Sequence, residues 1–258
     1  MTLRRIRADL HLHTCLSPCG GYDVTPSAVV ARAAELGLEL IAISDHNSAE
    51  NAAAAREAAR RLGSRAPMVL AGLEVTTAEE AHLLALFEDL GAALTLQAMV
   101  YDHLQPGENN PDVFGDQIVA NADDEVEEFN PRLLIGATDL AVQDLVGRVH
   151  ALGGLAVACH LDRPSYSLVG QLGMVPPDLP LDAVEVSWRG DPDQTRAWVA
   201  GRGLAVITNS DAHALDQMGQ AWTEYQMLAP TLAELALALA GREGRAVLGL
   251  GRRGPGEG

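Results

Sequence analysis

The chain has 258 residues and a formal net charge of −17, because 35 acidic residues outnumber 18 basic ones. This balance argues against a broad surface for nucleic acid or anionic membranes. A hydrophobic content of 48% with only 4% aromatic residues is typical of the aliphatic cores of α/β proteins. No apolar run reaches the roughly 18 residues that a membrane-spanning helix needs, and no signal peptide is evident. We therefore expect a cytoplasmic protein, with three cysteines that form no disulfide framework.

The first third of the chain alternates between strand and helix patterns. A near-continuous apolar run over 38–44 is typical of a parallel strand covered on both faces. Residues 82–87 follow the preceding strand too closely for a crossover helix, so this pair predicts an antiparallel hairpin. The predicted elements are a strand over 6–10, a helix from Thr25 or Pro26 to Leu36, a strand over 38–44, a helix ending at Leu62, and strands over 68–75 and 82–87.

The alternating pattern breaks down between about 99 and 137. Residues 105–111 are rich in turn formers, and 123–128 form an acidic cluster. We interpret this stretch as an irregular insertion in one domain, and as a candidate lid, rather than as a second domain.

The alternation then resumes and continues almost to the end. We assign residues 1–248 to a single domain and expect the Gly/Arg-rich residues 249–258 to form a disordered tail. The predicted elements are a helix from 139 or 143 to 152, a strand over 155–159, a strand over 184–187, a helix over 192–200, a strand over 204–209, a strand over 222–228 and a helix over 232–240.

Polar side chains lie at or just after the end of nearly every predicted strand. In a barrel all these ends open on one face, where the loops after the strands form the active site. In a doubly wound sheet they would concentrate at one switch point. The observed distribution favours the barrel. These residues are His11, His13, Asp45, His46, Glu74, His160, Asp211 and His213.

The residue types at these ends are those of a metal site. His11 and His13 are two positions apart, so on a strand their side chains point to the same face; Asp211 and His213 repeat this spacing. Imidazoles together with carboxylates suit zinc, manganese or iron rather than calcium. The Glu74 carboxylate has two oxygens and could bridge two ions. Ligands from several strands indicate more than one ion, and such clusters are typical of phosphate-ester hydrolysis.

Six segments resemble, in order, the successive motifs of the PHP superfamily, named for polymerase and histidinol phosphatase. The match runs from residue 8 to residue 213. The resemblance implies a distorted (β/α)7 TIM-like barrel and a trinuclear metal centre. It also implies metal-dependent phosphoesterase activity, through attack by a hydroxide that bridges two ions. The segments are Asp9–Thr14, Ile43–Asn47, Gly72–Val75, His82, His160 with Asp162-Arg163-Pro164, and Ser210–His213.

The resemblance also implies a ligand set. The first ion would take His11, His13, Glu74 and Asp211; the second would share Glu74 and add His82 and His160; the third would take His46, His213 and position 19. Many family members carry His or Asp at position 19, whereas this chain has Cys19. A thiolate there would favour softer ions; alternatively, Cys19 only fills the turn. We assign the catalytic roles to His11, His13, Glu74, Asp211 and His213.

Other residues near the motifs are weaker candidates. Arg163 could bind the substrate phosphate with two hydrogen bonds, or form a surface ion pair. Asp9 and Asp45 neighbour the ligand histidines and could fix the tautomer of an imidazole. Asn209 and Ser210 are candidate substrate contacts. No chemical role is assigned to Cys15, Cys159, His103 or His150.

Three functions compete at this point. We favour a phosphatase for a small phosphomonoester or nucleotide, with no membrane partner and no extended nucleic-acid surface. The alternatives are a nuclease for short oligonucleotides or nucleoside bisphosphates, and a non-catalytic metal-binding regulatory module. An amidohydrolase that uses a carbamylated lysine is disfavoured, because the chain contains no lysine. The sequence leaves the oligomeric state open.

Overall fold

The computed structural model describes residues 2–253, in which strands and helices alternate. The strands are β1 (Arg4–Leu12), β2 (Leu40–Ile43), β3 (Met68–Thr76), β4 (His82–Phe87), β5 (Ile118–Ala120), β6 (Val126–Phe129), β7 (Leu155–Ala158), β8 (Ala183–Val186), β9 (Ala205–Thr208), β10 (Ala221–Met227) and β11 (Ala246–Arg252). The α-helices are α1 (Pro26–Glu35), α2 (Ala52–Leu62), α3 (Leu90–His103), α4 (Pro111–Phe114), α5 (Val142–Ala151), α6 (Leu168–Leu172), α7 (Pro192–Trp198) and α8 (Leu232–Leu239).

Nine of these strands form one sheet in the order β11-β10-β1-β2-β3-β4-β7-β8-β9. The sheet curls until β9 meets β10, where Thr208 and Thr223 join them. The amide of Thr208 donates to the Thr223 hydroxyl over 2.9 Å, and that hydroxyl donates to the Thr208 carbonyl over 2.8 Å. The result is a nearly closed, barrel-shaped sheet, which confirms the predicted distorted TIM-like barrel.

The core lies on both sides of this sheet. Alternate residues of β1, such as Ile6, Ala8 and Leu10, belong to an inner cluster that α8 covers. Helices α1, α2, α3 and α5 pack their apolar faces into the larger outer cluster. Helix α1 begins where the sequence predicts it, because the Thr25 hydroxyl accepts a hydrogen bond from the Ala28 amide and Pro26 fits the first turn.

The predicted hairpin is confirmed, since β3 and β4 pair antiparallel with Glu74 opposite Leu84 and Thr76 opposite His82. Strand β4 also runs antiparallel to β7, whereas β1, β2 and β3 are mutually parallel. The antiparallel pairing brings the start of β4 to the same rim as the end of β3. His82 therefore reaches the barrel mouth although it begins a strand instead of ending one.

The insertion is shorter and more regular than the sequence suggests. Helix α3 extends to His103 and was not predicted, because its apolar residues surround the helix instead of following one face. The irregular stretch therefore begins at 104. It contains α4 and the β5–β6 hairpin, and Asn51 fastens it to the barrel through bonds to Ile118 and Ala120.

The expected disordered tail is wrong for residues 249–252, which lie in β11 and pair with β10. The predicted domain end at 248 thus falls inside a strand. Gly251 is required by packing, because a Cβ there would overlap the Trp222 ring. Residues 254–258 lie outside the described part of the chain. Among residues 2–253, no helix combines the length and apolar character needed to cross a membrane.

Candidate metal centre

Histidines, carboxylates and one thiol gather at the barrel mouth in four overlapping groups. Within each group the potential ligand atoms lie no more than 4.8 Å apart. Every residue predicted as a metal ligand, except Cys19, falls in at least one group. The groups are His11, His13, Glu74 and Asp211; His46, Glu74 and His82; His13, His46 and His213; and Glu74, Cys159 and His160.

Glu74 lies at the centre, with its side chain only 1% exposed. Five imidazoles approach its two oxygens, which is the arrangement expected of a carboxylate shared between ions. From Oε1 the distances are 2.6 Å to His82 Nδ1, 3.2 Å to His11 Nε2 and 3.2 Å to His160 Nε2; from Oε2 they are 3.0 Å to His46 Nδ1 and 3.4 Å to His13 Nε2.

Asp211 faces Glu74 across His11 and His13. Its Oδ1 lies 3.4 Å from His11 Nε2 and 3.2 Å from His13 Nε2. The backbone of Asp211 has a φ of 52°, a left-handed conformation that is costly for most residues other than glycine. The His13 amide donates to the Ala212 carbonyl over 3.0 Å, which holds the loop after β9 against the end of β1.

Buried side chains orient the two histidines of β1. His11 Nδ1 lies 3.0 Å from Glu185 Oε2, and the Asn209 amide donates to the same oxygen over 2.8 Å. His13 Nδ1 lies 2.9 Å from the Ser17 hydroxyl. Partners of this kind leave Nε2 of each ring free for a metal and raise its basicity.

Asp9 and Asp45 do not contact the ligand imidazoles, contrary to expectation. Asp9 accepts hydrogen bonds from the amide and hydroxyl of Ser210. Asp45 accepts from Thr14 and from the Ser17 hydroxyl, so it reaches His13 only through Ser17. Both carboxylates fasten loops, because backbone amides and hydroxyls lie nearer to them than the rings do.

Glu185 and Ser17, which make the direct contacts, were missed from the sequence. Glu185 lies on β8 and is fully buried. An acidic residue inside the otherwise apolar run Ala183–Val186 was the available signal, because carboxylates are buried only with partners. Nothing in the sequence singles out Ser17 from other loop serines.

Several buried imidazole nitrogens have no hydrogen-bond partner, which supports a metal site. His11 Nε2, His13 Nε2 and His46 Nδ1 are within 3.0–3.4 Å of a carboxylate oxygen but are not aligned for a hydrogen bond. Buried polar atoms are rarely left without partners because their desolvation is costly. A cation between these nitrogens and the carboxylates would satisfy both, so the residues fit a metal.

The charge states of the two acids suit a cation as well. Burial raises the pKa of Glu74, but His82, His11 and His46 outweigh it and hold the pKa well below its usual range. Burial likewise opposes ionisation of Asp211, yet the contacts with His11 and His13 keep its pKa well below normal. Burial and the neighbouring His213 lower the pKa of His13 well below its usual value. Burial also lowers the pKa of His11 and His46, but Glu74 and its neighbours outweigh it and raise the pKa of His11 well above its usual value and that of His46 to about 10. The ionised carboxylates and the neutral His13 are already in the forms that bind metal, whereas metal binding would release protons from His11 and His46.

Cys19 lies in an exposed position beside this cluster. Burial of the thiol raises its pKa, but interactions with His213 and His46 outweigh it and lower the pKa to about 6. The lowered pKa favours the thiolate, the form that binds metals. It is absent from the four compact groups, so its ligand role stays a prediction.

Arg163 forms an ion pair within the site rather than on the outer surface. One guanidinium nitrogen lies 2.5 Å from Asp211 Oδ2, while 39% of the side chain remains exposed. Arg163 also lines two cavities at the mouth, of 180 and 480 Å³.

The weaker sequence candidates have structural partners. Asn209 donates to Glu185 and accepts from the Leu10 amide, and Ser210 donates to Asp9. His103 and His150 pair with Asp139 and Asp182 away from the mouth. Cys15 is buried in the core, and Cys159 is fully buried in the inner cluster but also lies beside Glu74 and His160.

A nearly closed α/β barrel with acids and imidazoles gathered at its mouth is the architecture of metal-dependent hydrolases. The model of the PHP domain matches residues 9–160, and that of the PHP-associated domain matches residues 193–245. The chain therefore belongs to the PHP domain family. PHP proteins are metal-dependent phosphoesterases, so the enzyme class that the motifs indicate is confirmed at the level of the family.

Three known proteins illustrate the similarity. The uncharacterized protein YqxK of Bacillus subtilis is 31% identical over 110 residues, which are 41% of this chain and 28% of YqxK. The lesion-specific endonuclease PfuEndoQ from Pyrococcus furiosus superposes with a TM-score of 0.75 at 17% identity, over 98% of this chain and 60% of that one. Endonuclease Q in complex with a 27-mer duplex carrying an abasic lesion has a TM-score of 0.72 at 17% identity, over 95% and 59% of the two chains. The chain thus spans less than two thirds of each of these proteins.

The expectation that this chain has no extended nucleic-acid surface is wrong. A protein with this fold holds a 27-mer duplex with the lesion at its active site. The expectation rested on net charge, which averages over the whole surface and does not describe the mouth. There Arg163 and Arg189 line the larger cavity.

Proposed function

We propose that this chain is a metal-dependent phosphoesterase that hydrolyses phosphodiester bonds in nucleic acid. The observation that carries the proposal is the buried Glu74 carboxylate, which five imidazoles surround at the barrel mouth. The likeness to endonuclease Q over 98% of the chain supports nucleic acid as the substrate.

Three divalent ions are proposed, with zinc, manganese or iron as candidates. One ion is assigned to His11, His13, Glu74 and Asp211, and a second to Glu74, His82 and His160; a third is assigned to His46, His213 and Cys19. When bound, the ions supply the Lewis-acid and nucleophile-activating chemistry that ester hydrolysis needs. The unpartnered nitrogens and ionised acids described above support this assignment.

The protein's own residues would bind and orient the phosphate. The guanidinium of Arg163 is paired with Asp211, and the partly exposed side chain lines the cavities that a phosphate would enter. A planar guanidinium can hold two phosphate oxygens at once and offset their charge. Glu185 and Ser17 keep His11 and His13 from rotating. Such fixed donors need little reorganisation during the reaction.

The test combines metal analysis with a substrate panel. Bound ions are measured by mass spectrometry in protein purified without added metal. The same protein is then tested for cleavage of three substrates: a 27-mer duplex with one abasic site, the undamaged duplex and 4-nitrophenyl phosphate. We expect bound transition metal and strand cleavage, with slower release of 4-nitrophenol. His11→Ala should abolish cleavage, and His103→Ala, which changes a histidine outside the mouth, should not.

Rapid hydrolysis of the monoester with intact DNA would instead support the small-molecule phosphatase. Bound metal without hydrolysis of any substrate would support the non-catalytic module. Either result overturns the proposal.

A further inference from the structure

The larger cavity at the mouth continues past Arg163 to an aromatic and cationic wall. This cavity of 480 Å³ is lined by Arg163, Asp211 and His213, and also by Trp188 and Arg189. The smaller cavity of 180 Å³ shares the first three residues and is lined on its other side by Tyr166. Arg163 thus stands between two spaces, each with one aromatic side chain.

The wall at Trp188 is held rigidly. The guanidinium carbon of Arg189 lies 4.1 Å from the centre of the Trp188 ring. The Ser187 amide donates to Asp162 over 2.7 Å, and Arg252 donates to the Gly190 carbonyl over 2.7 Å. The loop over 187–190 is therefore fastened at both ends, which lowers the entropy lost when a ligand packs against it.

Arg189 brings a charge that the protein does not neutralise. Among residues 2–253, no carboxylate oxygen lies within 4.0 Å of its guanidinium, whereas Arg163 is paired with Asp211. In a chain with a net charge of −17, a second guanidinium beside the metal centre favours an anionic ligand.

The wall at Tyr166 is built differently. Its ring stacks on His82 with the ring centres 4.7 Å apart, and its carbonyl accepts a hydrogen bond from the His82 amide over 2.9 Å. Tyr166 has a φ of 58°, an uncommon conformation for a bulky residue, and 45% of it is exposed. Residues held in such conformations cluster at ligand sites.

We propose that Trp188 and Tyr166 form two nucleoside subsites on opposite sides of the phosphate that Arg163 binds. A base stacks well on an aromatic ring whatever its identity; at Trp188 it would use the face that Arg189 does not cover, and Arg189 would contact the next phosphate on that side. This proposal rests on the proposed function and narrows its substrate to an internal phosphodiester with a base on each side. A monoester would fill only one of the two spaces.

The test uses dithymidine phosphate and two analogues in which an abasic tetrahydrofuran replaces one thymidine, on the 5′ or the 3′ side. We expect Trp188→Ala to raise KM for dithymidine phosphate by about tenfold with kcat little changed, as base stacking strengths imply. For the analogue that lacks the base expected to stack on Trp188, the Trp188→Ala variant and the unmodified protein should have the same KM. Tyr166→Ala should show the same pattern with the other analogue. Trp188→Phe, which keeps a ring, should retain most of the affinity.

A binding measurement separates this proposal from the proposed function. A phosphorothioate analogue of dithymidine phosphate should quench tryptophan fluorescence in the protein and in Trp198→Phe, but not in Trp188→Phe. If no phosphodiester is cleaved yet this quenching occurs, the proposed function fails and the subsites stand. If cleavage occurs but both alanine variants keep KM within twofold, or raise it equally for all three compounds, the subsites are wrong.

Discussion

The metal centre has two regions that are built differently. The inner group, which is His11, His13, Glu74 and Asp211, is almost completely buried and is oriented by Glu185 and Ser17. The rim group is Cys19, His46 and His213; Cys19 is exposed, and the His213 side chain is 23% exposed. Among residues 2–253, the polar partners of His213 Nδ1 are the carbonyl and the carboxylate of nearby Asp211. The inner group is therefore organised before any ion binds. In the rim group His46 is buried, but the exposed Cys19 and the partly exposed His213 can adapt to different ions.

Removing the charge at the centre of the inner group should have the largest effect. Glu74→Gln places an amide among five imidazoles, so we expect the loss of most bound metal and activity at background. Mass spectrometry of the purified protein and the nuclease assay measure both. The variant should remain folded by circular dichroism. Retention of the metal content and activity of the unmodified protein would contradict the central role of Glu74.

Changing the support of the inner group should have an intermediate effect. Glu185→Gln keeps a polar group beside His11 Nδ1 but removes its charge, so metal affinity should fall by about 10- to 100-fold, as for other partners of metal-bound histidines. Competition with a chromogenic chelator measures this change. Glu185→Asp, which restores the charge, should recover part of the affinity. If the two variants bind metal equally, the carboxylate charge is irrelevant and the comparison fails.

Changing the rim group should alter the kind of metal more than the amount. Cys19→Ser removes the thiolate and should release one ion of about three. The inner ions should remain, because Cys19 belongs to none of the compact ligand groups. Cys19→Asp should restore the full number and shift preference from zinc toward manganese. Metal counts after dialysis against mixed ions measure this. An unchanged count and preference in both variants would show that Cys19 only fills the turn.

A change that touches neither group should affect stability alone. Gly251→Ala forces a methyl group into the Trp222 ring, so we expect the free energy of unfolding to fall by about 1–3 kcal/mol. Gly249→Ala lies on the same strand with open space around it and is the matched control. Urea denaturation measures both. If the metal content per folded molecule falls in Gly251→Ala, then metal binding by the inner and rim groups depends on β11.

The sequence was most informative where chemistry and local pattern coincide. The barrel, the β3–β4 hairpin and the gathering of His11, His13, Glu74, His82 and Asp211 follow from strand periodicity and from motifs in order. The side chains that orient the ligand histidines could not be predicted in this way. Glu185 lies 174 positions from His11, and their contact depends on tertiary structure. Helix α3 escaped detection because it lacks an apolar stripe, and β11 because glycines that serve packing resemble glycines in a loose tail.

The arrangement of strands also determines which parts of the chain a metal would tie together. Glu74 and His82 are only 8 positions apart and meet through one hairpin turn, whereas Asp9 and Ser210 are 201 positions apart. The entropic cost of closing a loop rises with its length, so the first contact can form early in folding and the second only late. A metal held by His11 and Asp211 would therefore cross-link β1, at the start of the chain, to the loop after β9. Removing this metal should speed unfolding that begins by separation of the β9 loop from β1. The amides of the β3–β4 hairpin should stay protected from hydrogen exchange the longest.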